Sequence, residues 1–425
     1  MKQIQKLSHP FSPERRKKLL QLLYSFTATG IFNVVIQLIL YPDLEHRMGE
    51  HAYGVALSVI SLIAIIAGSC GSAVGNCRLL GVTKGWTEGG DYHRILLGMG
   101  VLGSSIGMAY LFYLGVATPI SLVLFVLLNL ITMLRFYSEV EFRISTDFFR
   151  YMIYYILISA GYIVGLFLFR LSHEWMLALI VGEALALLYV ALFGTIYRPP
   201  LFRRSKVFLP VLSATGFLFL SVLIDNVTLH ADRILLLTIT KDGSTVTLYY
   251  IASLAGKIVA LLTAPLNALV LSYLVRYEGK LSRTLWSTAA IATLIFGAAA
   301  FGACMLISPP LIRFLYPSTL PQVAPILVPA ILGQIFYFAS GLLMTILLRF
   351  KGEKRQLLFN AIYAVIFFVC VVIGTVLRGL RGFALAILLA NGIRFFAALL
   401  WGFWGGKGSS EIDSQSEKVS SASAD

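Results

Sequence analysis

Charged residues are scarce in this 425-residue chain: Asp, Glu, Lys and Arg make up 13% of it, while 58% is hydrophobic and the mean hydropathy is +0.84. That balance excludes an ordinary water-soluble globule, in which roughly a quarter of the residues carry charge. Cysteine is scarce too. The four present, Cys70, Cys77, Cys304 and Cys370, lie in or beside apolar runs with no CxxC pair and no His at metal spacing, so they read as small core residues. Also missing are a Walker A loop, GxSxG, HExxH, and any loop cluster of Asp and Glu suited to a metal and a nucleotide sugar. An ATP-driven pump is unsupported, and no cofactor or metal is expected. Loops between the apolar runs are short and leave no room for a soluble catalytic domain. Function must reside among the helices, and the expectation is that the chain is not an enzyme.

What the chain has in abundance is apolar runs of about 18 or more residues, each long enough to cross roughly 30 Å of hydrocarbon as a helix. Twelve spans are expected, near 19–40, 53–75, 95–115, 118–137, 149–169, 175–196, 208–240, 247–274, 285–308, 322–348, 356–377 and 382–404. The expected fold class is an all-α polytopic membrane protein with 12 transmembrane helices, held together by helix packing within lipid. The net charge of +14 reflects topology and not nucleic-acid binding, since Lys and Arg fall in short clusters between the spans. With the N-terminus inside, 25 of the 34 lie in inside segments and 6 outside: Arg47, Arg170, Lys241, Arg313, Arg378 and Arg381. The positive-inside rule then puts both termini in the cytoplasm.

Residues 1–18 read as a basic cytoplasmic N-terminus, and the full-length run after them, lacking a small-residue cleavage site, as an uncleaved first span. The segment 405–425, rich in serine and acidic residues, is expected to be a disordered cytoplasmic tail. Spans 1–6 (19–197) and 7–12 (207–404) are nearly equal in length and are joined by a cytoplasmic linker, 198–206. An echo between Tyr53–Ala56 (YGVA) and Tyr249–Ala252 (YYIA) supports two six-helix bundles.

Polar residues inside the spans are the candidates for function. On a helix, Asn226, His230 and Arg233 make one stripe of span 7, and Ser221, Asp225 and Asp232 a neighbouring one. A charge at the bilayer centre costs roughly 2.5–3.5 kcal/mol, so this face is expected to line an interior or watery cavity. The alternative is an overlong span whose charged part sits in the outer headgroup region, beside Lys241 and Asp242. Lys257 in span 8 shares a side with Tyr250 and Ser253, and Arg394 lies mid-span, three residues after Asn391. Both read either as interior cations or as snorkelling side chains. Glu183 in span 6 reads as a lone buried carboxylate that either binds a proton or cation or is neutral and hydrogen-bonded. Ser25, Thr29, Asn33 and Gln37 form a drifting polar stripe on span 1, suited to helix–helix hydrogen bonds or to a cavity wall. Gly68, Gly71 and Gly75 suit close helix contact or bending. Arg135, Glu139, Glu141 and Arg143 read as a solvated ion-pair network closing span 4.

Three stretches carry a family resemblance. GIFNVVIQLILYPDLEHRMGEHAYG (30–54) is similar to the opening pattern of the polysaccharide flippases of the multidrug, oligosaccharidyl-lipid and polysaccharide exporter superfamily. ADRILLLTITKDGSTVTLYYIASLAGKIV (231–259) resembles their Asp-Arg followed by a Tyr-x-x-Ala helix. The segment 313–355, with its Leu-Tyr-Pro entry and Gly-Glu-Lys-Arg exit, resembles the region around their tenth span. The resemblance covers nearly all of the spans. It implies two six-helix bundles around a central cavity that opens alternately to either side of a bacterial plasma membrane. The implied cargo is an oligosaccharide repeat on undecaprenyl diphosphate, flipped from the cytoplasmic to the outer leaflet. The implied partners are this lipid-linked substrate, membrane lipids, a coupling proton or sodium ion, and the polysaccharide polymerase machinery. Arg233, Lys257 and Arg394 would attract the anionic cargo. Asp225, Asp232, His230 and Glu183 would balance charge or couple protons, and Asn33, Gln37 and Asn226 would line the cavity. Asp232 beside Arg233 departs from the pattern, because a paired arginine is a weaker anion site. Twelve spans argue against the lipid II flippase branch, which usually has fourteen. A drug/cation antiporter of the same superfamily and a membrane polymerase or ligase are the alternatives.

Overall fold

The computed structural model describes residues 13–86, 88–198, 201–275, 281–351 and 353–404. Most of the expected N-terminal stretch and the expected tail 405–425 lie outside the described residues. Among the described residues every regular element is helical: α1 (Pro13–Val34), a π-helical segment (Val35–Leu40), α2 (Tyr41–Met48), α3 (Glu50–Lys84), α4 (Gly89–Tyr113), α5 (Pro119–Ser145), α6 (Phe148–Ser172), α7 (Trp175–Phe193), α8 (Phe208–Thr240), α9 (Gly243–Val275), α10 (Arg283–Leu315), α11 (Leu320–Lys351) and α12 (Glu353–Phe403). Ten stretches among them are long and apolar enough to cross a membrane, making this a multi-pass membrane protein. The ten count α12 as one stretch and do not include α9. Inside α12 the backbone leaves helical geometry at Arg378 and at Gly379, whose φ of 56° suits glycine. That break falls in the gap between the expected spans 356–377 and 382–404.

Local chemistry explains the ends. Thr118 and Ser121 form a reciprocal capping box before α5, with Pro119 at its first turn. Asp147 caps α6 by accepting from the Arg150 amide at 3.1 Å, and Ser282 caps α10 through the Leu285 amide at 3.1 Å. The π-helical segment ends at Leu40, two residues before Pro42. A proline nitrogen cannot donate to the carbonyl four residues back, and its ring crowds that carbonyl, so the preceding turn widens.

The chain forms two compact units, Met1–Ile234 and Leu235–Asp425, and the division falls inside α8. In the first unit, glycines bring helix backbones into contact. A Cβ at Gly165 of α6 would meet the Ala178 backbone of α7, and one at Gly161 would lie 2.9 Å from the Gly182 nitrogen. Gly71 of α3 packs in the same way on Met133 and Tyr137 of α5, while a Cβ at Gly75 would lie 3.6 Å from the Tyr137 carbonyl oxygen. These are close helix contacts of the kind small residues permit in lipid. The chain after α7 is fastened to this unit as well. The Glu141 carboxylate accepts from Thr195 N–H at 3.1 Å, its hydroxyl at 3.0 Å and Ile196 N–H at 3.1 Å. His93 bonds the Leu201 carbonyl at 2.8 Å, and Asp91 accepts from Ser205.

In the second unit, Trp286 of α10, Leu343, Met344 and Leu347 of α11, and Phe395 and Ala398 of α12 make a buried apolar cluster. The Trp286 indole donates to the Leu399 carbonyl at 3.1 Å. Cys70, Cys77 and Cys304 are buried free thiols, as expected of core residues, and Cys370 is half-buried.

Gly165→Val forces a branched side chain against the Ala178 backbone, an overpacking expected to cost about 1–3 kcal/mol. It should lower the thermal unfolding midpoint of the purified protein. Gly98→Ala, where a Cβ meets nothing within 4 Å, should leave it unchanged. An unchanged midpoint in Gly165→Val would overturn the close α6–α7 contact.

Candidate functional site

A cavity of about 230 Å³ lies inside the first unit. Its polar lining comes from eight helical segments: Asn33 of α1, Gln37 of the π-helical segment, Tyr41 of α2, Ser61 of α3, Thr132 and Arg135 of α5, Tyr162 of α6, Glu183 of α7, and His230 and Arg233 of α8. Phe32, Ile36, Phe136 and Leu179 supply apolar walls.

The structure therefore brings together five of the site residues implied by the family resemblance: Asn33, Gln37, Glu183, His230 and Arg233. The lower part of the span 1 stripe bonds its own helix. Thr29 donates to the Ser25 carbonyl at 3.1 Å, and the Asn33 amide to the Thr29 carbonyl at 2.7 Å. The Asn226, His230 and Arg233 stripe turns into this unit, since Asn226 donates to the Ser69 hydroxyl at 3.0 Å while His230 and Arg233 reach the cavity. The neighbouring stripe divides. Asp225 is exposed, whereas Asp232 is buried and accepts the Arg233 backbone N–H at 2.9 Å. Arg233 itself is 7% exposed, and its guanidinium donates to the Ser61 hydroxyl at 3.3 Å and lies beside the Tyr41 phenol.

The strongest charge array in the cavity wall is one the sequence reading placed elsewhere. Arg135, Glu139 and Glu141 are 5%, 6% and 8% exposed, so they are not a solvated network. Helix α5 continues to Ser145, past the expected end of span 4 near 137, and carries Arg135 along its buried face. The Arg135 guanidinium donates to Glu183 at 2.9 Å and Glu139 at 3.2 Å, and stacks on the Phe136 ring at 3.7 Å. Tyr162 donates to the second Glu183 oxygen at 2.7 Å, and Tyr155 to Glu139 at 2.8 Å. Arg143, more exposed, completes the chain by donating to Glu139 at 3.2 Å. Glu183 is thus not a lone carboxylate. It is one of two acids matched by two arginines. The i, i+4, i+8 spacing of Arg135, Glu139 and Arg143 was the sequence signal for this helix face. Nothing in the sequence linked it to Glu183, 48 residues away.

The remaining candidates belong to the second unit. Lys257 is half-buried, with its ammonium 5.5 Å from the Tyr250 ring centroid and 6.0 Å from that of Tyr249. Arg394 is buried beside Tyr337 and Tyr363.

Breaking the Arg135–Glu183 pair by Glu183→Ala is expected to cost about 3 kcal/mol, because it leaves a buried guanidinium undercompensated. Arg135→Met combined with Glu183→Ala should lose less than the sum of the two single changes, by about 1–3 kcal/mol in equilibrium unfolding. Strictly additive losses would show that the two side chains do not act as a pair.

No protein-family model and no curated protein sequence matches the chain. Solved structures do. An inward-facing multidrug resistance MATE transporter of the MOP superfamily superposes with a TM-score of 0.58 at 15% identity, over 90% of this chain and 94% of that one. The Vibrio cholerae MATE transporter VcmN in its bent form gives 0.57 at 12% identity, over 91% and 95%. The lipid II flippase MurJ in an inward closed conformation gives 0.68 at 16% identity, over 91% and 87%. At these identities the likeness shows the architecture: the chain has the fold shared by MATE transporters of the MOP superfamily and the lipid II flippase.

Proposed function

We propose that the protein is a flippase that moves an undecaprenyl-diphosphate-linked oligosaccharide repeat unit from the cytoplasmic to the outer leaflet of a bacterial plasma membrane. In this reading both termini are cytoplasmic, twelve spans form two six-helix bundles, and 19–197 rocks against 207–404 by alternating access driven by an ion gradient. The observation that carries it is the sign of the charge set within the helices. The first unit's cavity is lined by two arginines and one carboxylate, which is itself bonded to one of them. Lys257 and Arg394 add two further cations within helices of the second unit. A diphosphate or an acidic sugar entering a low-dielectric interior is favoured by such groups, and a cationic drug is opposed by them.

The likeness to multidrug transporters favours a second reading, a drug/cation antiporter, because that fold carries both cargo classes. For a cationic cargo the cavity offers Glu183, whose two oxygens are already engaged by Arg135 and Tyr162. The polysaccharide flippase is therefore the better supported of the two. A polymerase or ligase has less support still, since no catalytic constellation is recognisable in the sequence.

The test is export. Replacing Arg233 and Lys257 together by Ala should abolish surface polysaccharide while leaving the protein inserted at normal level in the membrane. Normal export by that variant would sink the cationic-cargo-site assignment. In proteoliposomes, translocation of the lipid-linked oligosaccharide should accelerate several-fold under a proton or sodium gradient. Indifference to both gradients would remove the proposed coupling role of Asp225, Asp232, His230 and Glu183.

A further inference from the structure

The second unit carries its charge differently from the first. Between Gly243 and Phe403 the sequence holds only two carboxylates, Glu278 and Glu353. Glu278 falls between α9 and α10, and Glu353 is the first residue of α12. The bodies of these four helices thus contain no acid, although they contain Lys257 and Arg394.

Arg394 retains only 9% of its surface exposed. The centroids of the Tyr337 and Tyr363 rings each lie 4.6 Å from its guanidinium carbon, and 6.5 Å from each other. Those three distances place the rings at nearly a right angle about the guanidinium, which sits in the corner between them. Asn391, one turn earlier on α12, braces the corner. It accepts from the Tyr363 hydroxyl at 2.7 Å and donates to the Gly333 carbonyl of α11 at 2.9 Å. Tyr363 thereby spends its proton on Asn391, so towards Arg394 it can act only as an acceptor. Nε and Nη1 of Arg394 are buried and have no hydrogen-bond partner among the described residues.

A guanidinium withdrawn from water without a carboxylate is unfavourable, and two tyrosine faces offset only part of that cost. What the site lacks among the described residues is an acceptor able to meet the planar N–H fork edge-on, the geometry that oxyanions satisfy with two parallel hydrogen bonds. We propose that Arg394, cornered by Tyr337 and Tyr363 and braced by Asn391, is an oxyanion site of the second unit that receives one phosphate or carboxylate group. For the physiological identity of the anion it rests on the flippase reading. It is then the diphosphate of the lipid carrier or an acid group of its sugars.

The site is tested without transport, by thermal unfolding of the purified full-length protein. Inorganic pyrophosphate and glucuronate are titrated in detergent, and nanodiscs of phosphatidylglycerol are compared with nanodiscs of phosphatidylcholine. At least one oxyanion should raise the midpoint saturably, and Arg394→Gln should abolish that shift. Arg394→Lys, which keeps the charge and loses the fork, should weaken apparent affinity by about tenfold or more. Without ligand, Arg394→Gln should unfold no earlier than the native protein, because it removes an uncompensated buried charge. A response to pyrophosphate assigns the site to a diphosphate, one to glucuronate alone to a sugar acid, and one to phosphatidylglycerol alone to bilayer headgroup phosphate. Each of these supports an oxyanion site. No shift with any of them, a shift that survives Arg394→Gln, or equal affinity in Arg394→Lys would overturn it. Loss of the shift in Arg394→Gln beside normal surface polysaccharide in a strain lacking the protein would keep the site and sink the flippase reading; a shift that survives Arg394→Gln beside lost surface polysaccharide in that strain would do the reverse.

Discussion

The Arg135 guanidinium, 2.9 Å from Glu183 and 3.2 Å from Glu139, is the interaction around which the first unit is arranged. A cation buried to this depth is tolerable only if its acids are delivered in the right place, and those acids come from two helices. Glu139 lies one turn along α5, whereas Glu183 must be presented by α7. The presentation depends in turn on Gly182, the residue beside Glu183. A Cβ there would lie 2.6 Å from the Ile158 carbonyl oxygen, so α6 and α7 can close only because that atom is absent. Tyr155 and Tyr162, both on α6, then donate to the two acids. One charge thus links the small residues that pack α6 on α7 to the polar wall of the cavity.

Because Arg135 and Arg143 match Glu139 and Glu183 in number, this chain of side chains contributes little net charge to the cavity. The other ionisable lining groups, His230 and Arg233, come from α8. Arg233 is held by the Ser61 hydroxyl, a neutral acceptor, and the nearby Asp232 accepts the Arg233 backbone N–H. The π-helical turn before Pro42 bears on the same wall. It carries Ile36 and Gln37 into the lining, with Tyr41 just beyond it. A single widened turn rotates the residues that follow relative to a regular helix, and such turns often accompany functional sites.

How much of this was legible in the sequence depends on the range of the interaction. Helix class and approximate spans follow from run length, which is a local property. The break near Arg378 and Gly379 was visible as two charges and glycines between apolar runs. The inward stripe Asn226, His230, Arg233 follows from helical spacing alone. Spacing could not tell that the adjacent stripe would split, with Asp225 exposed and Asp232 buried, because that depends on which neighbours cover α8. Arg135 was misplaced for a related reason. Its cluster of charges looks like the end of a span when hydropathy is read along the chain, yet the helix runs on and its acids neutralise it through space. Pairing across 48 residues leaves no periodic trace.

The distribution of acids separates the two units in a way that bears on ion coupling. Proton or sodium binding through a carboxylate needs an Asp or Glu within a helix, and α9 to α12 have none in their bodies. In the second unit a bound cation would have to rely on hydroxyl, amide and backbone oxygens, next to helices that already carry Lys257 and Arg394. The first unit has the carboxylates, but Glu183 and Glu139 are engaged by arginine and tyrosine. Arg135 is shared between these two acids, so any other anion that reached it would compete with them for the same guanidinium. Under the proposed flippase reading, exchange of partners at this one arginine is a physical route by which an anionic cargo would free a carboxylate for a coupling ion within a single unit.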